Sequence, residues 1–362
     1  MKVVLDVPRT RGEHIAGFEG PDGLDSQYLV LERDGKRLIA ERDPSSSVYH
    51  VKLPGAEAGD SLVFDVSTDG SSEKAVGITF SEHANGVDVS LKGSPFFTFH
   101  HDGSNPKPFI NPILTPGGVN MLREPMPAYS EGEHPWQRGL TLMQGAINGV
   151  DCWNEAEKPG FGRTEQDEMA VTAGPQSLLI ASDNTWYEGD RPLMRDCRSY
   201  RLFDTDRKAA VLDISITLQA VFGQVTIGGT KEAGFLGIRV NPSMNAAAGG
   251  QMRNAYGATD EVGCWSKPAH WMDYFGPVGE EIAGFAVFDH PENFRYPTTW
   301  HARGYGLFAP NCWMFKPDHV LAEDEKMTFR WRVIVHSGDT VSAGIGDLFL
   351  DYADGLRAKW EG

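Results

Sequence analysis

"KMTFRWRVIVHSGD", residues 326–339, sets Phe329, Trp331, Val333 and Val335 against Arg330, Arg332, Ile334 and His336. Successive side chains of a β-strand point to opposite faces, so this alternation predicts a strand with one face buried. "RKAAVLDISITLQAVFG", residues 207–223, repeats the pattern, with Leu212, Ile214, Ile216 and Leu218 opposing Val211, Asp213, Ser215 and Thr217. Two long strands of this kind, far apart in the chain, point to an antiparallel sheet packed on one side. Towards the N-terminus, "QYLVLERDGKRLIAER" (27–42) reads as a hairpin around Asp34-Gly35, a dipeptide that adopts the turn geometry a two-residue hairpin needs. "VYHVKLP" (48–54), "SLVFDVSTDG" (61–70) and "AVGITFSEHANGVDVSLKG" (75–93) continue the rhythm, with Asn85-Gly86 marking a second hairpin.

Composition agrees. The 362 residues include 41 Gly and 22 Pro, which favour short strands and turns over long helices. The expected class is mainly β, a large antiparallel β-sandwich. Residues 1–93 form an N-terminal β region packing on or extending the sandwich, and residues 94–362 form the main sandwich with the site. Only "VSAGIGDLFLDYADGLRAKWEG" (341–362) has helical spacing, which predicts a short C-terminal helix.

A formal net charge of −17 repels nucleic acid and anionic membrane surfaces. No stretch reaches the ~18 apolar residues needed to span a bilayer, and "MKVVLDVPRTRGEH" lacks the apolar core of a signal peptide. A cytoplasmic protein without membrane or nucleic-acid partners is therefore expected. Cys152, Cys197, Cys264 and Cys312 form no CxxC pair, which favours reduced thiols over a zinc knuckle or a disulfide framework. Dinucleotide, P-loop, GxSxG and HExxH signatures are missing.

From Ser94 onward aromatics, prolines and histidines crowd into loops, where sites are usually built on β-scaffolds. "TTWHARGYGLFAPN" (298–311) places His301, Arg303 and Tyr305 at every second position, on one face if the stretch is a strand. "EHPWQRGL" (133–140) does the same for His134, Trp136 and Arg138. An imidazole, a guanidinium and an indole together suit a polyol: histidine moves protons near neutral pH, arginine forks two oxygens, and an aromatic face covers sugar C–H groups. A turn at His134 with Arg138 in a structural ion pair is the alternative. In "GGTKEAGFLGIRV" (228–240), Lys231, Glu232 and Arg239 flank flexible glycines, and Glu232 is a candidate general base. "FHHDG" (99–103) raises a divalent metal, although His100 and His101 point to opposite faces of a strand and three ligands are needed. No cofactor is certain. "FDHPENFRYP" (288–297), with Asp289, His290 and Asn293, reads as turn chemistry.

"FINPILTPGGVNM" (109–121), "HPWQRGL", "NGVDCW" (148–153) and "WHARGYGLFAPN" resemble, in order, motifs of a soluble bacterial family labelled "methane oxygenase PmoA". The likeness runs from about Phe96 to Gly338. The label fits poorly, since a particulate methane monooxygenase subunit is an integral membrane protein. The resemblance implies a galactose-mutarotase-like β-sandwich linked to sugar catabolism, including routes that oxidise a glycoside at C3 before cleaving it. Gln137 and Gln144 stand where that family usually has histidines, which weakens a metal or two-histidine mechanism and suggests a specialised substrate. Trp300, His301 and Arg303 match the family's Trp-His-x-Arg element, and Tyr305 and Asn311 also match.

The expected function is a carbohydrate-active enzyme, a lyase or hydrolase cleaving a glycoside or 3-keto sugar by proton abstraction and β-elimination. His134, Arg138, Glu232, His301 and Arg303 are its catalytic candidates. Trp136, Gln144, Asn148, Trp153, Arg239, Trp300, Tyr305 and Asn311 are its substrate-binding candidates. A sugar mutarotase or epimerase and a non-catalytic carbohydrate-binding protein are the alternatives.

Overall fold

The computed structural model describes residues 1–361 except 45, 69–76 and 207, so the expected strand ends at 69–76 lie outside the described residues. About half of the chain is strand and 5% helix. Six N-terminal strands, β1 (Lys2–Asp6), β2 (His14–Glu19), β3 (Tyr28–Arg33), β4 (Lys36–Arg42), β5 (Val48–Leu53) and β6 (Ser61–Ser67), join one sheet with β25 (Arg357–Glu361). The order is β2-β5-β4-β3-β6-β1-β25. The sheet curls until its edges approach, with the Leu356 amide donating to the Gly17 carbonyl and Trp360 against Phe18. Val3, Leu5, Phe18, Leu29, Leu31, Tyr49, Val51 and Phe64 fill its interior. The Asp34-Gly35 turn has the expected left-handed backbone, φ 52° and 71°.

Two eight-stranded sheets form the sandwich. The first runs β21 (Trp300–Ala302), β22 (Leu307–Pro310), β17 (Phe235–Arg239), β11 (Leu140–Met143), β10 (Phe109–Ile113), β9 (Ser94–His100), β8 (Gly86–Leu91) and β7 (Ile78–His83). The second runs β12 (Arg163–Ala173), β13 (Ser177–Glu188), β14 (Arg191–Phe203), β15 (Ala209–Gln219), β24 (Lys326–Ser337), β20 (Glu281–Asp289), β19 (Trp271–Val278) and β18 (Gln251–Asn254). A two-stranded ribbon, β16 (Val225–Ile227) and β23 (His319–Leu321), completes the strands, and α1 (Glu261–Cys264) is a single turn. The sheets meet through rings from both sides: Phe99 on Tyr200 at 5.2 Å, Tyr274 on Phe308 at 5.6 Å and Phe235 on Phe329 at 5.4 Å between centroids. The two opening stretches pair directly, Ser215 opposite Arg330, and their apolar rows lie in this core.

Two details differ from the sequence reading. Strands β7 and β8, within residues 1–93, extend the first sheet of the sandwich at its edge. Their turn is Ala84-Asn85, and Gly86 already pairs with His83 and His100, because a Cβ there would lie 2.1 Å from the Phe99 carbonyl oxygen. In the tail, α2 (Ile345–Ala353) packs Ile345 and Phe349 on the outer side of the second sheet, with Val211, Phe288 and Ile334. Burying two such side chains contributes about 3–6 kcal/mol. The helix then stops and "RAKWE" extends as β25, half-burying Ala358 and Trp360 in alternation. Among the described residues no helix is long and apolar enough to cross a membrane. The four cysteines are free, and burial pushes the Cys264 thiol up to about 11 and the half-buried Cys197 to about 12.

Candidate functional site

The face of the first sheet turned away from the core carries the candidate residues. Antiparallel partners share a face, and the register aligns His100 with Phe109, Phe109 with Thr141, Thr141 with Gly237, and His301 with Ala309. Arg239, two residues along β17 from Gly237, projects to the same side. The alternate residues Phe99, Ile110, Leu140, Ile238, Phe308 and Trp300 enter the core.

Half of this outer face is closed by the protein itself. Gly237 has no Cβ, and the Trp153 indole takes the space, its Cη2 lying 2.9 Å from where a Cβ would stand. Arg138 is 1% exposed and makes a two-pronged pair with Glu155, Nε to Oε1 at 2.8 Å and Nη2 to Oε2 at 2.6 Å. Lys107 approaches the same carboxylate at 3.4 Å and donates to the Trp153 carbonyl at 2.7 Å. Burial would raise the Glu155 carboxyl, but Lys107 and Arg138 hold it below the usual carboxylate range. Burial also lowers the Lys107 ammonium, with the Glu155 charge opposing. Arg138 is thus the cation of a buried structural pair, with no open side for a ligand.

The other half is a polar cluster at the β17–β22–β21 end. "EHPWQRGL" is not extended here. His134 has φ 54°, the Gln137 amide bonds back to the His134 carbonyl at 3.1 Å, and the Arg123 guanidinium donates to the carbonyls of Glu133, His134 and Gln137 at 2.6–2.8 Å. Pulling these carbonyls around one buried cation wraps the turn, so His134 and Arg138 diverge. Burial, with the Arg239 charge adding to it, pushes Arg123 down to about 10. His134 Nδ1 lies 2.6 Å from Glu133 Oε1. Burial alone would raise Glu133, but hydrogen bonds from His134 and Arg239 and the Arg239 charge hold it as a carboxylate below its ordinary value. A carboxylate accepts only, so Nδ1 carries the proton and the neutral ring has its lone pair at Nε2. The His134 side chain is 37% exposed and Nε2 has no partner among the described residues.

Tyr305 is the hub. His134 stacks on it at 5.1 Å, 13° from parallel, Arg239 lies 4.5 Å from its centroid and Arg303 5.4 Å. Trp136 meets His134 edge-on at 5.4 Å. Arg239 donates to Gln137 Oε1 at 2.5 Å and Glu133 Oε2 at 2.9 Å, while its buried Nε has no partner. Burial raises the Tyr305 phenol, opposed by its hydrogen bond with Gln137 and by Arg303 and Arg239.

His301, Arg303 and Tyr305 do not form one strand row. β21 ends at Ala302, and residues 303–306 turn, with the Gly306 amide donating to the Arg303 carbonyl at 2.9 Å and Gly306 at φ 104°. Glu261 of α1 fixes the turn, meeting Arg303 Nε at 2.8 Å and the Gly304 amide at 2.6 Å. His301 Nδ1 bonds to the Lys231 carbonyl, so its Nε2 is the unprotonated nitrogen, buried and without a partner. Burial lowers the His301 imidazolium below its ordinary range, with the Glu232 charge opposing. Glu232 pairs with Lys231 at 3.1 Å, and its charge acts on both His301 and Tyr305.

His134, Trp136, Glu232, Arg239, His301, Arg303 and Tyr305 therefore gather at one end of this face. Six other candidates do not join them as open groups. Besides Arg138 and Trp153, Trp300 lies in the core with its indole N–H on the Ala269 carbonyl at 3.0 Å. Asn311 uses both amide ends, on the Thr230 carbonyl and the Trp313 amide. Asn148 accepts from the Thr226 amide at 2.7 Å, and Gln144 donates to the Gly228 carbonyl at 3.3 Å. Glu133, Gln137, Arg123 and Glu261 were missed. Glu133 adjoins His134 in sequence, and the left-handed His134 lets neighbours meet that a strand would separate. His100 bonds the Asn111 carbonyl and His101 meets Gln166, so neither reaches His134 or His301. Among the described residues no three His, Cys, Asp or Glu side chains gather as a metal site.

A two-sheet antiparallel β-sandwich with a histidine–carboxylate pair, arginines and a tyrosine on an outer sheet face is the class these features define. The chain belongs to a family of unknown function, DUF6807, whose model matches residues 86–349, the sandwich from β8 onward with the first half of α2. No curated protein matches the chain.

Proposed function

We propose that this cluster is the active site of a carbohydrate-active enzyme, a lyase or hydrolase that cleaves a glycoside or 3-keto sugar. The observation that carries the reading is the Glu133–His134 pair, clamped by Arg239 and Arg123, with a free Nε2 beside two aromatic rings. Glu133 fixes the tautomer and orientation of His134, as a general base requires. Trp136 and Tyr305 offer faces for sugar C–H groups, and Arg303, about a third exposed with Glu261 on one side only, offers donors to an oxygen.

With a 3-keto glycoside, His134 Nε2 takes the proton from C2. The C2–H electron pair forms the enolate of the C3 ketone, whose oxygen Arg303 stabilises. The enolate collapses, the C1–O bond breaks with formation of C1=C2, and the leaving group departs with its electron pair and is protonated. Water adds to the enone where the product is the free 3-keto sugar. His301, sealed from solvent with its Nδ1 on the Lys231 carbonyl, is the second acid–base candidate at this end of the sheet. Arg138 takes no part. A mutarotase or epimerase would use the same base without a leaving group.

The test is turnover of 3-keto-glucosides and their parent glycosides by the purified protein and by H134Q. Cleavage that falls at least ~100-fold in H134Q, the usual share of a general base, supports the reading. Absence of both turnover and binding across the panel, or full activity in H134Q, overturns it.

A further inference from the structure

Beyond the edge strand β21, an apolar wall stands against the elements that carry the cluster. Phe315 is 67% exposed and Val262 85%, and Phe315 meets Trp265 edge-on at 5.7 Å between centroids. Both sides of this wall are tied to site residues. Val262 lies on α1 next to Glu261, the partner of Arg303. Trp265 directly follows α1, and the next amide, Ser266, donates to the carbonyl of Trp300, the neighbour of His301. On the other side, the Lys316 carbonyl lies so close to Gly229 that a Cβ there would sit 2.0 Å away, and the Gly229 amide bonds Asp318 at 2.8 Å. The turn carrying Phe315 is thereby fastened to the 229–232 loop carrying Glu232.

Phe315 also has φ 56°, the left-handed region that a bulky aromatic residue avoids. Glycine or asparagine would serve that turn better, and an outward phenyl ring gains little from packing. A strained backbone holding a large apolar side chain in solvent beside a polar cluster is the pattern of a ligand clamp.

Resting on the sugar reading above, we infer that Trp265, Phe315 and Val262 form a subsite for an aromatic aglycone, the leaving group of a glycoside whose sugar lies against His134, Tyr305 and Arg303. Aromatic rings stack offset or edge-to-face, which the Trp265–Phe315 corner accommodates. A further sugar unit would want polar partners, and neither Phe315 nor Val262 supplies one. The substrates are then aryl glycosides in place of oligosaccharides.

The experiment compares binding of phenyl and methyl 3-keto-β-glucoside by calorimetry, in the wild-type protein, F315N and F315A. The expected result is a preference of about tenfold or more for the phenyl compound. In both variants the ratio falls towards one and affinity for the methyl compound is kept. F315N, whose asparagine tolerates the left-handed backbone, melts no lower than wild type and so separates loss of the subsite from loss of the fold. Equal affinity for the two compounds in wild type, or a phenyl preference unchanged in F315N, overturns the subsite and leaves the sugar reading standing. Failure of the methyl compound to bind any of the three proteins overturns both.

Discussion

Replacing Glu155 with glutamine separates a structural from a catalytic role for Arg138. Glu155 sits between Arg138 and Lys107, whose side chains are 1% and 0% exposed. The substitution keeps the volume and removes the anion, leaving two cations in the same buried space. Breaking a buried ion pair from one side costs about 3–5 kcal/mol, because the remaining charge has neither water nor partner. At about 2.1 cal/mol/K of unfolding entropy per residue, 1 kcal/mol is worth ~1.3 °C in a 362-residue chain, so the melting temperature should fall by roughly 4–7 °C. R138M is the informative companion. It leaves the Lys107–Glu155 contact intact and the methionine stem still covers Phe109, so its loss should be the smaller of the two. Scanning calorimetry with urea titration at neutral pH reads both. An E155Q protein melting within about 1 °C of wild type would refute the buried-pair reasoning. So would an R138M protein of unchanged stability that has lost turnover.

Three further outcomes follow from the same coordinates. E133Q should lower kcat by about tenfold or more and leave KM nearly unchanged, since Glu133 positions His134 and touches no substrate; a change confined to KM would contradict that role. G237A should cost about 1–3 kcal/mol by overpacking against Trp153, whose Cη2 lies 2.9 Å from the new Cβ, and a Tm equal to wild type would count against the close approach. Asp289 and His290 titrate in opposition. Burial raises Asp289 to about 7, above its unfolded value, so between pH ~4 and 7 the native state binds more protons and stability falls as pH rises, by up to ~4 kcal/mol. Burial, with Arg330 adding to it, lowers His290 to about 4, so between pH ~4 and 6.5 the unfolded state binds more protons and stability rises with pH by up to ~3 kcal/mol. D289N removes one arm. Its unfolding free energy relative to wild type should shift in the variant's favour by a few kcal/mol from pH 4.5 to 7.5; a constant difference in urea titrations would sink the assignment.

Strand alternation made the sandwich legible because its long central strands turn an unbroken apolar row, Phe329, Trp331, Val333 and Val335, to the core; that the opposite row, Arg332, Ile334 and His336, is buried as well depends on α2 and the neighbouring strands and does not show in the alternation. The tail was harder. Leu348, Phe349 and Tyr352 share a helical stripe that masks the period of two in Arg357, Ala358, Lys359 and Trp360, and no local signal says that the latter pair with β1, some 350 residues earlier. In the site, the residues of "WHARGYGLFAPN" were found for a partly mistaken reason. The stretch was read as one strand, yet Gly306 in a left-handed turn folds Tyr305 back onto Arg239. In "EHPWQRGL" it is the alternative, a turn at His134 with Arg138 in a structural ion pair, that holds, and the turn's shape depends on Arg123, ten residues upstream and without motif character. Arg138 went to structure since its partner Glu155 lies beyond the next strand, where spacing carries no information.

The pairing of β25 with β1 also orders events during synthesis. The N-terminal strands leave the ribosome first, yet β1 finds its second neighbour only after residue 361 has emerged. Until then β1 presents an unpaired edge, the exposure from which strand-to-strand association between chains begins. Six strands of this sheet are made before the sandwich and the seventh after it. A nascent chain halted before residue 357 would hold every residue of the sandwich and of α2 and still carry an open sheet.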